Sequence, residues 1–550
     1  MKRYIRFSLP FAVMAAALIA LSPRAAASEA ASGDLPGDVV VAVKTASLKE
    51  LADDIVSVAR RVAPGPQVEA MPFMLGAMLG DPMLEGVEAG RNIGAALMEV
   101  SVDPEAGEFD LQPVVFARLT PESPYRETLR AQGMEVLDFE GWTFAAPQGF
   151  SLEGLGERRS DLIEWVELPR RHDIELYLNA PAIGRYIEVA EPMVREELAG
   201  TEAAEYKEVI PSLMRTITGE LRIMNSAGLA LDLSEESITQ HAHLLVDSDT
   251  ALGRFLSADH RPSFEPARWV DGAAPLVYLN RTNLDAARDY VDYFLTKAEA
   301  GGGKVMAEIG VMVRELVALS AGHSDGSNAG FLRMAGFEAE ILQVYDLRGE
   351  EEELRRSLEK TLALMEHPVI SKITAGFAPV QTRTELEVGE RTINDLPVLT
   401  MRTGLAEESE GDAFFRDAFE QEMFYVKVGN FVVAADRFEN LENAVRAVAS
   451  GESPTPSAAD LLDPESDAAG QVRLDAAALV SAFSGFIAPG LEIAADLPPA
   501  LGELRIEDSA LRWRFDIPVA LVAGLYREIQ AHAEEAGEDF QLENGYKVEE

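Results

Sequence analysis

Cysteine is absent from the 550-residue sequence, and lysine is scarce. Without cysteine the chain can form no disulfide, no thiolate metal site and no cysteine nucleophile. Only ten of the 48 basic residues are lysine, whereas 93 residues are Asp or Glu, so the formal net charge is −45. A negative field of this size repels phosphate groups, which argues against nucleic acid as a partner.

Long hydrophobic runs are also absent after the N-terminus. Residues 1–27 have the features of a signal peptide, because a basic start precedes an apolar stretch over residues 7–21 and small residues then suit cleavage after Ala27 or Ala30. The most apolar later run, residues 476–488, is shorter than the ~20 residues of a membrane-spanning helix. We therefore expect a periplasmic or secreted protein with no membrane span once the signal peptide is removed.

Internal repetition is the most informative feature that the sequence does contain. Four segments recur in the same order: 41–48 resembles 277–284, 142–146 resembles 431–435, 176–180 resembles 472–476, and 219–223 resembles 502–506. Ser47 and Asn283 occupy the same place before a helical pattern and suit N-caps, and Ser47 with Glu50 matches a capping box. We predict a tandem duplication, with two unrelated domains of similar strand composition as the alternative.

Each copy is predicted to be an α+β fold, a mixed, mainly antiparallel sheet unit with packed helices. Apolar and polar residues alternate in strands that follow one another in meanders, which favours α+β over a doubly wound sheet. The first repeat is predicted over residues 36–257 and the second over 273–530. A linker at 258–272 joins them, and an acidic tail, 531–550, follows.

Short motifs in the first repeat suggest a family. The pattern Pro36-x-Asp38-Val39 leads into a capped helix, and the glycine-containing segment 86–92 precedes a strand. With the duplicated layout, these motifs resemble uncharacterised exported proteins of the bacterial cell envelope that contain duplicated α+β domains of unknown function. The resemblance implies the fold class and an envelope location, and it implies no catalytic residue.

Ser324 is the one candidate nucleophile. Residues 322–326 match the pattern G-x-S-x-G, in which a sharp turn between a strand and a helix exposes the serine. The residues before Ser324 fit a helix as well as a strand, however, and residues 327–330 are typical of a turn. A plain loop is therefore the alternative to a serine hydrolase site.

Two further groups are candidates for binding. His241 and His243 lie two residues apart in a predicted strand, so their rings share a face and would be the ligands of a metal if one bound. The sequence shows no third ligand, so we predict no metal and no cofactor. Met71, Met74 and Met78 belong to a methionine-rich stretch that is either a core helix, the commoner case, or an adaptable apolar ligand-binding surface.

Together these observations favour an exported, non-enzymatic protein with a binding or envelope-structural role. Its expected partner is a protein or an apolar ligand. The alternatives are a serine hydrolase that uses Ser324 and a periplasmic carrier that holds an apolar ligand at the methionine-rich stretch.

Overall fold

The computed structural model describes residues 38–535, apart from residues 79, 104–107, 200–207, 336–337, 371–381, 406–420, 488–490, 492 and 494–495. The predicted signal peptide lies outside the described residues. So does the predicted acidic tail from residue 536 onwards.

Among the described residues, the first half of the chain contains eight strands and seven α-helices. Its strands are β1 (Val39–Thr45), β2 (Ile93–Asp103), β3 (Glu108–Ala117), β4 (Met134–Phe139), β5 (Trp142–Pro147), β6 (Ile174–Leu178), β7 (Met224–Leu233) and β8 (Ser237–Val246). Its helices are α1 (Leu48–Val62), α2 (Pro66–Met78), α3 (Tyr125–Ala131), α4 (Arg158–Glu167), α5 (Ala180–Ala199), α6 (Val209–Arg222) and α7 (Ala251–Leu256), with a 3₁₀ helix at Glu153–Leu155.

The second half begins after a 3₁₀ helix at Pro266–Trp269. Its strands are β9 (Leu276–Arg281), β10 (Ser327–Ala335), β11 (Glu338–Asp346), β12 (Thr382–Ile393), β13 (Leu396–Leu405), β14 (Gln421–Val428), β15 (Phe431–Ala435), β16 (Gly470–Leu474), β17 (Ala500–Glu507) and β18 (Ala510–Pro518). Its helices are α8 (Leu284–His323), α9 (Glu351–Met365), α10 (Phe438–Ser450), α11 (Ala476–Ile487) and α12 (Val519–Glu535), with a 3₁₀ helix at Ala458–Asp460.

The eighteen strands in the described part of the chain belong to one continuous antiparallel sheet. The first half has the order β4-β5-β3-β2-β1-β6-β7-β8. The second half has the order β14-β15-β11-β10-β9-β16-β17-β18, extended beyond β14 by the hairpin of β13 and β12. The halves meet where β8 pairs with β18, from Ser237 opposite Pro518 to Leu245 opposite Ala510. A large antiparallel sheet with helices confirms the predicted α+β class.

The sheet buries a separate apolar core in each half, on the same face. In the first half Phe116 and Phe144 stack with ring centroids 5.4 Å apart, and α4 covers them with Leu162 and Val166. In the second half α10 covers the sheet with apolar side chains such as Leu441. Strand residues alternate between faces, so every second residue of these strands enters a core.

Helices on the opposite face link the two halves. At the end of the first half, α7 packs against α8 of the second half, and α6 packs against α8 as well. At the end of the second half, α12 packs against α1 of the first half. Each half thus supplies helices that cover the other. In the part of the chain that the structure describes, no helix is long and apolar enough to cross a bilayer.

The predicted helix caps are confirmed. The Ser47 hydroxyl accepts a hydrogen bond from the Glu50 N–H, and the Glu50 carboxylate accepts one from the Ser47 N–H. The Asn283 side chain accepts from the Ala286 N–H at the start of α8. Helix α8 is broken at Gly303, whose φ of 66° lies outside the helical region. Gly303 therefore separates two consecutive helical segments of α8.

One of the four sequence repeats is wrong. Residues 219–223 end helix α6, whereas residues 502–506 lie inside strand β17, so the two segments are not equivalent. Gly502 lies opposite Val472 of β16, and the residue opposite Leu176, the counterpart of Val472 in β6, is Leu229 in β7. The amphipathic pattern of α6 extends to its last turn, which is why residues 219–222 are helical and do not form a strand.

The segment 258–272, which was predicted to join the two units, packs into the second-half core. Ala267 and Val270 in it are fully buried. His260 is buried as well, and its ring accepts a hydrogen bond from the Asn283 N–H and donates one to the Phe255 carbonyl. The His260 ring therefore links the end of α7 to the start of α8 through two hydrogen bonds.

Candidate functional site

The β7–β8 hairpin places His241 and His243 on one face of the sheet, as predicted, but the two rings have different partners. His241 lies opposite Ala230, and His243 lies opposite Gly228. Leu244 of β8 points the other way, into the cluster that α7 and α8 cover. The histidines therefore face the side that carries α4, where a segment before β6 approaches them.

His172, Asp232 and His241 converge at this place. His172 Nδ1 and His241 Nε2 lie 2.9 and 3.0 Å from the same carboxylate oxygen, Asp232 Oδ2. The two imidazole rings are 4.5 Å apart. One nitrogen from each ring and one Asp232 oxygen all lie within 4.8 Å of one another. We call these three residues the histidine–aspartate cluster.

The charge state of Asp232 follows from these contacts. Partial burial disfavours the carboxylate, but the hydrogen bonds that His172 and His241 donate outweigh it and hold the pKa of Asp232 far below its usual range. The carboxylate is thus an anion at any physiological pH. Its side chain is 36% exposed, so the cluster is reachable from solvent.

The segment before β6 holds His172 rigidly. The Glu175 carboxylate accepts hydrogen bonds from the backbone N–H groups of Arg171 and His172 at 2.7 and 3.2 Å. The Asp173 carboxylate accepts from the Leu233 N–H at 2.7 Å, and the Asp173 carbonyl accepts from the Ala46 N–H. This segment is therefore fixed to three strands, which positions the His172 ring over Asp232.

Glu175 is itself part of a buried charged network. Its second oxygen accepts from the Tyr177 hydroxyl at 2.8 Å and lies 3.3 Å from Lys44 Nζ, and the Lys44 and Glu175 side chains are only 2% and 4% exposed. The ammonium also lies 5.3 Å from the centre of the Trp165 ring. Burial lowers the pKa of Lys44, and the attraction of Glu175 opposes this only in part.

His243 does not join the histidine–aspartate cluster. Its Nε2 lies 2.6 Å from the Ser226 hydroxyl, and both residues are buried. Burial, helped by the charge of Arg512, lowers the pKa of His243 to about 4, so the ring is neutral at pH 7. The candidate pair His241 and His243 is therefore not brought together: the second imidazole beside His241 is that of His172.

Ser324 lies in a turn with the wrong order of elements for a nucleophile elbow. It caps the C-terminus of α8, and strand β10 follows it, whereas the device needs a strand before the turn and a helix after it. The Ser324 hydroxyl accepts a hydrogen bond from the Gly326 N–H at 3.0 Å. These contacts are those of a helix-to-strand loop.

The methionine-rich stretch forms α2, and the core interpretation is wrong for the side chains that the structure describes. Phe73 and Met74 are 58% and 54% exposed, and Met71 and Leu75 are 40% exposed. Helix α2 is apolar on all sides, so packing against α1 can bury only part of its surface. We call these four side chains the α2 apolar surface. The side chain of Met78 lies outside the described residues.

Sequence reasoning missed His172 and Asp232. Asp232 could have been found, because the β7–β8 register places it diagonally across from His241. His172 lies 60 residues before Asp232, in a segment without a pattern, and only the pairing of β6 with β7 brings it near.

Comparison of the chain with protein-family models, curated proteins and solved structures finds no match.

Proposed function

We propose that this chain is an exported, non-enzymatic binding protein that holds a partner at the α2 apolar surface. The observation that carries the proposal is the exposure of Phe73 and Met74, with Met71 and Leu75 beside them, on one short helix. Contiguous exposed apolar side chains of this kind are typical of interaction sites. An open helix surface favours a macromolecular partner over the enclosed ligand that a carrier would need.

We also propose that the scaffold arose by duplication of one α+β unit. The strand order of the first half recurs in the second half, with the hairpin β12–β13 added. Asn179 before α5 and Asp475 before α11 cap equivalent helices, since each accepts a hydrogen bond from the N–H three residues on. The helices α7 and α12, which end the two halves, each pack against the opposite half.

The duplication indicates what covers α2. The segment of α8 after Gly303 takes the place of α2 in the second half, and it buries Met306 and Ile309 against Val209 of α6. In the first half, α5 and α6 both lie between β6 and β7. Among the described residues at the equivalent place in the second half, between β16 and β17, α11 is the single helix. No described helix therefore corresponds to α6 and covers α2 as α6 covers α8. An amphipathic helix from a partner would fill this place. Because the net charge is −45, we expect that helix to carry basic residues beside its apolar face.

A labelled peptide with the sequence of α6 is the probe for this proposal. It carries the apolar face that covers α8 and a formal charge of +1 from Arg215, Arg222 and Glu220. We expect saturable binding by fluorescence anisotropy and at least tenfold weaker binding to Phe73→Ser/Met74→Ser. Each buried side chain contributes about 1.5 to 3 kcal/mol, and about 1.4 kcal/mol is tenfold in affinity. Val311→Ser is the control, because Val311 is also 54% exposed.

Three results would overturn the proposal. One is peptide binding that is absent or that the double variant leaves unchanged. Another is a dimer in sedimentation analysis that the double variant dissociates, since the surface would then belong to a second copy. The third is turnover on a hydrolase panel that Ser324→Ala abolishes. Export is tested separately, by N-terminal sequencing of protein from its own cells, where a start at Ser28 is expected and an intact Met1 would refute it.

A further inference from the structure

We propose that His172, Asp232 and His241 form a binding site for one divalent transition-metal ion, with Zn²⁺ as the best-fitting ion. This inference is independent of the α2 apolar surface. Two imidazole nitrogens and one carboxylate oxygen form a donor set that suits zinc and its neighbours rather than Mg²⁺ or Ca²⁺, which prefer oxygen alone.

Both nitrogen-to-oxygen distances in the histidine–aspartate cluster fit a shared metal ion, and the two ring nitrogens lie within 4.8 Å of each other. Ligand atoms about 2.1 Å from a common zinc ion are separated by about 3.0 to 3.4 Å at tetrahedral or right angles. His172 Nδ1 and His241 Nε2 already lie 2.9 and 3.0 Å from Asp232 Oδ2. On binding, the proton leaves the ligating nitrogen of each ring, for the other ring nitrogen or for solvent, and the lone pair freed there forms the bond to the metal.

The backbone around the site is fixed before any ion arrives. His172 is anchored through Glu175 and its neighbour Asp173, and the other two ligands lie on the paired strands β7 and β8. A prearranged site avoids the ordering cost that weakens metal binding by flexible chains. The carboxylate neutralises one charge of the ion, which makes the cluster more favourable than two imidazoles alone.

The site keeps an open position. Three protein ligands leave the fourth tetrahedral position of zinc for water or an external ligand. The Asp232 side chain is 36% exposed, whereas the His172 and His241 side chains are 12% and 15% exposed. An ion can therefore enter from the solvent side of Asp232 while the two rings remain packed.

The experiment measures Zn²⁺ binding to the full chain by titration calorimetry in a millimolar excess of Mg²⁺, which occupies the surface carboxylates. We expect one strong site per chain. We expect Asp232→Asn, His172→Gln and His241→Gln each to weaken it at least tenfold, since loss of even an outer-sphere partner weakens metal binding by about 10–100-fold. His367→Gln is the matched control, because His367 is a half-buried histidine remote in sequence, at the end of α9.

Co²⁺ provides a second readout that does not depend on the variants. Bound in a four-coordinate nitrogen and oxygen site, it gives intense visible absorption bands, which Zn²⁺ then displaces. Far-UV circular dichroism verifies that each variant is folded. The proposal is overturned if wild-type protein binds neither ion above the Mg²⁺ background. It is equally overturned if folded ligand variants bind Zn²⁺ as the wild type does, because the ions would then lie on the acidic surface.

Discussion

Replacement of Glu175 by Gln tests how the buried charges hold the centre of the first half. The substitution keeps the size of the side chain and leaves one oxygen that can still accept from the Arg171 and His172 N–H groups. It removes the negative charge 3.3 Å from Lys44 Nζ. The ammonium then keeps only the Leu168 carbonyl, at 3.4 Å, and the faces of two aromatic rings.

The expected cost is large because an uncompensated charge is left in the interior. Breaking a buried ion pair by removing one partner lowers the free energy of unfolding by about 3 to 5 kcal/mol. Lys44→Met is expected to cost less, about 1 to 3 kcal/mol, because Glu175 keeps three other donors. In the double variant neither member of this pair carries a charge, and we expect the methionine to pack against Trp165. We therefore expect the free energy of unfolding of the double variant to exceed that of Glu175→Gln alone by at least about 2 kcal/mol.

Urea unfolding followed by tryptophan fluorescence measures these differences, since Trp165 lies beside Lys44. The exposed Arg60–Glu69 pair provides the control cycle, and solvent screening should leave it with no measurable coupling. If the double variant is less stable than Glu175→Gln alone, the reasoning about the uncompensated ammonium is wrong.

Two further predictions concern His260 and Gly94. Burial, the larger effect, lowers the pKa of His260, so the folded chain takes up this proton only at a lower pH than the unfolded chain, which does so near pH ~6.5. Stability from His260 is therefore complete above that pH and declines below it, by up to about 1.4 kcal/mol per pH unit. Urea midpoints at decreasing pH should fall more steeply in wild type than in His260→Gln, and equal slopes would contradict this. In Gly94→Ala, the added methyl would lie 2.3 Å from the buried Phe116 ring, so thermal unfolding should reveal a loss of about 1 to 3 kcal/mol, and an unchanged midpoint would argue against this packing.

Much of the local structure could be predicted from the sequence because local signals decide it. Ser47 and Asn283 cap helices through side-chain geometry that spans only three residues. Residues 142–146 and 431–435, which resemble each other in sequence, both form strands, β5 and β15. Residues 219–223 were misassigned because a short string fits a helix end and a strand equally well, and only the packing of α6 against α8 decides between them. The N-cap residues therefore predicted helix starts correctly, whereas sequence similarity over five residues was too short to show that two segments are structurally equivalent.

The candidate sites depend on long-range contacts, which is why only part of them could be predicted from the sequence. His241 was recognised because its neighbour His243 lies two residues away, but the true partner, His172, reaches it only through the β6–β7–β8 pairing. The exposure of Phe73 also could not be foreseen. An apolar helix is usually buried, and whether another helix covers it depends on distant parts of the chain.

The seam between β8 and β18 has a consequence for biosynthesis. The last residue of β8 is Val246 and the first of β18 is Ala510, so β8 leaves the ribosome about 260 residues before its mate. At ~5–20 residues per second that delay is about 13 to 50 s. During this time β8 is an unpaired edge that can accept a strand from any neighbouring chain. Two nascent chains that exchange β18 would emerge as a domain-swapped dimer, and its yield on refolding should rise with protein concentration.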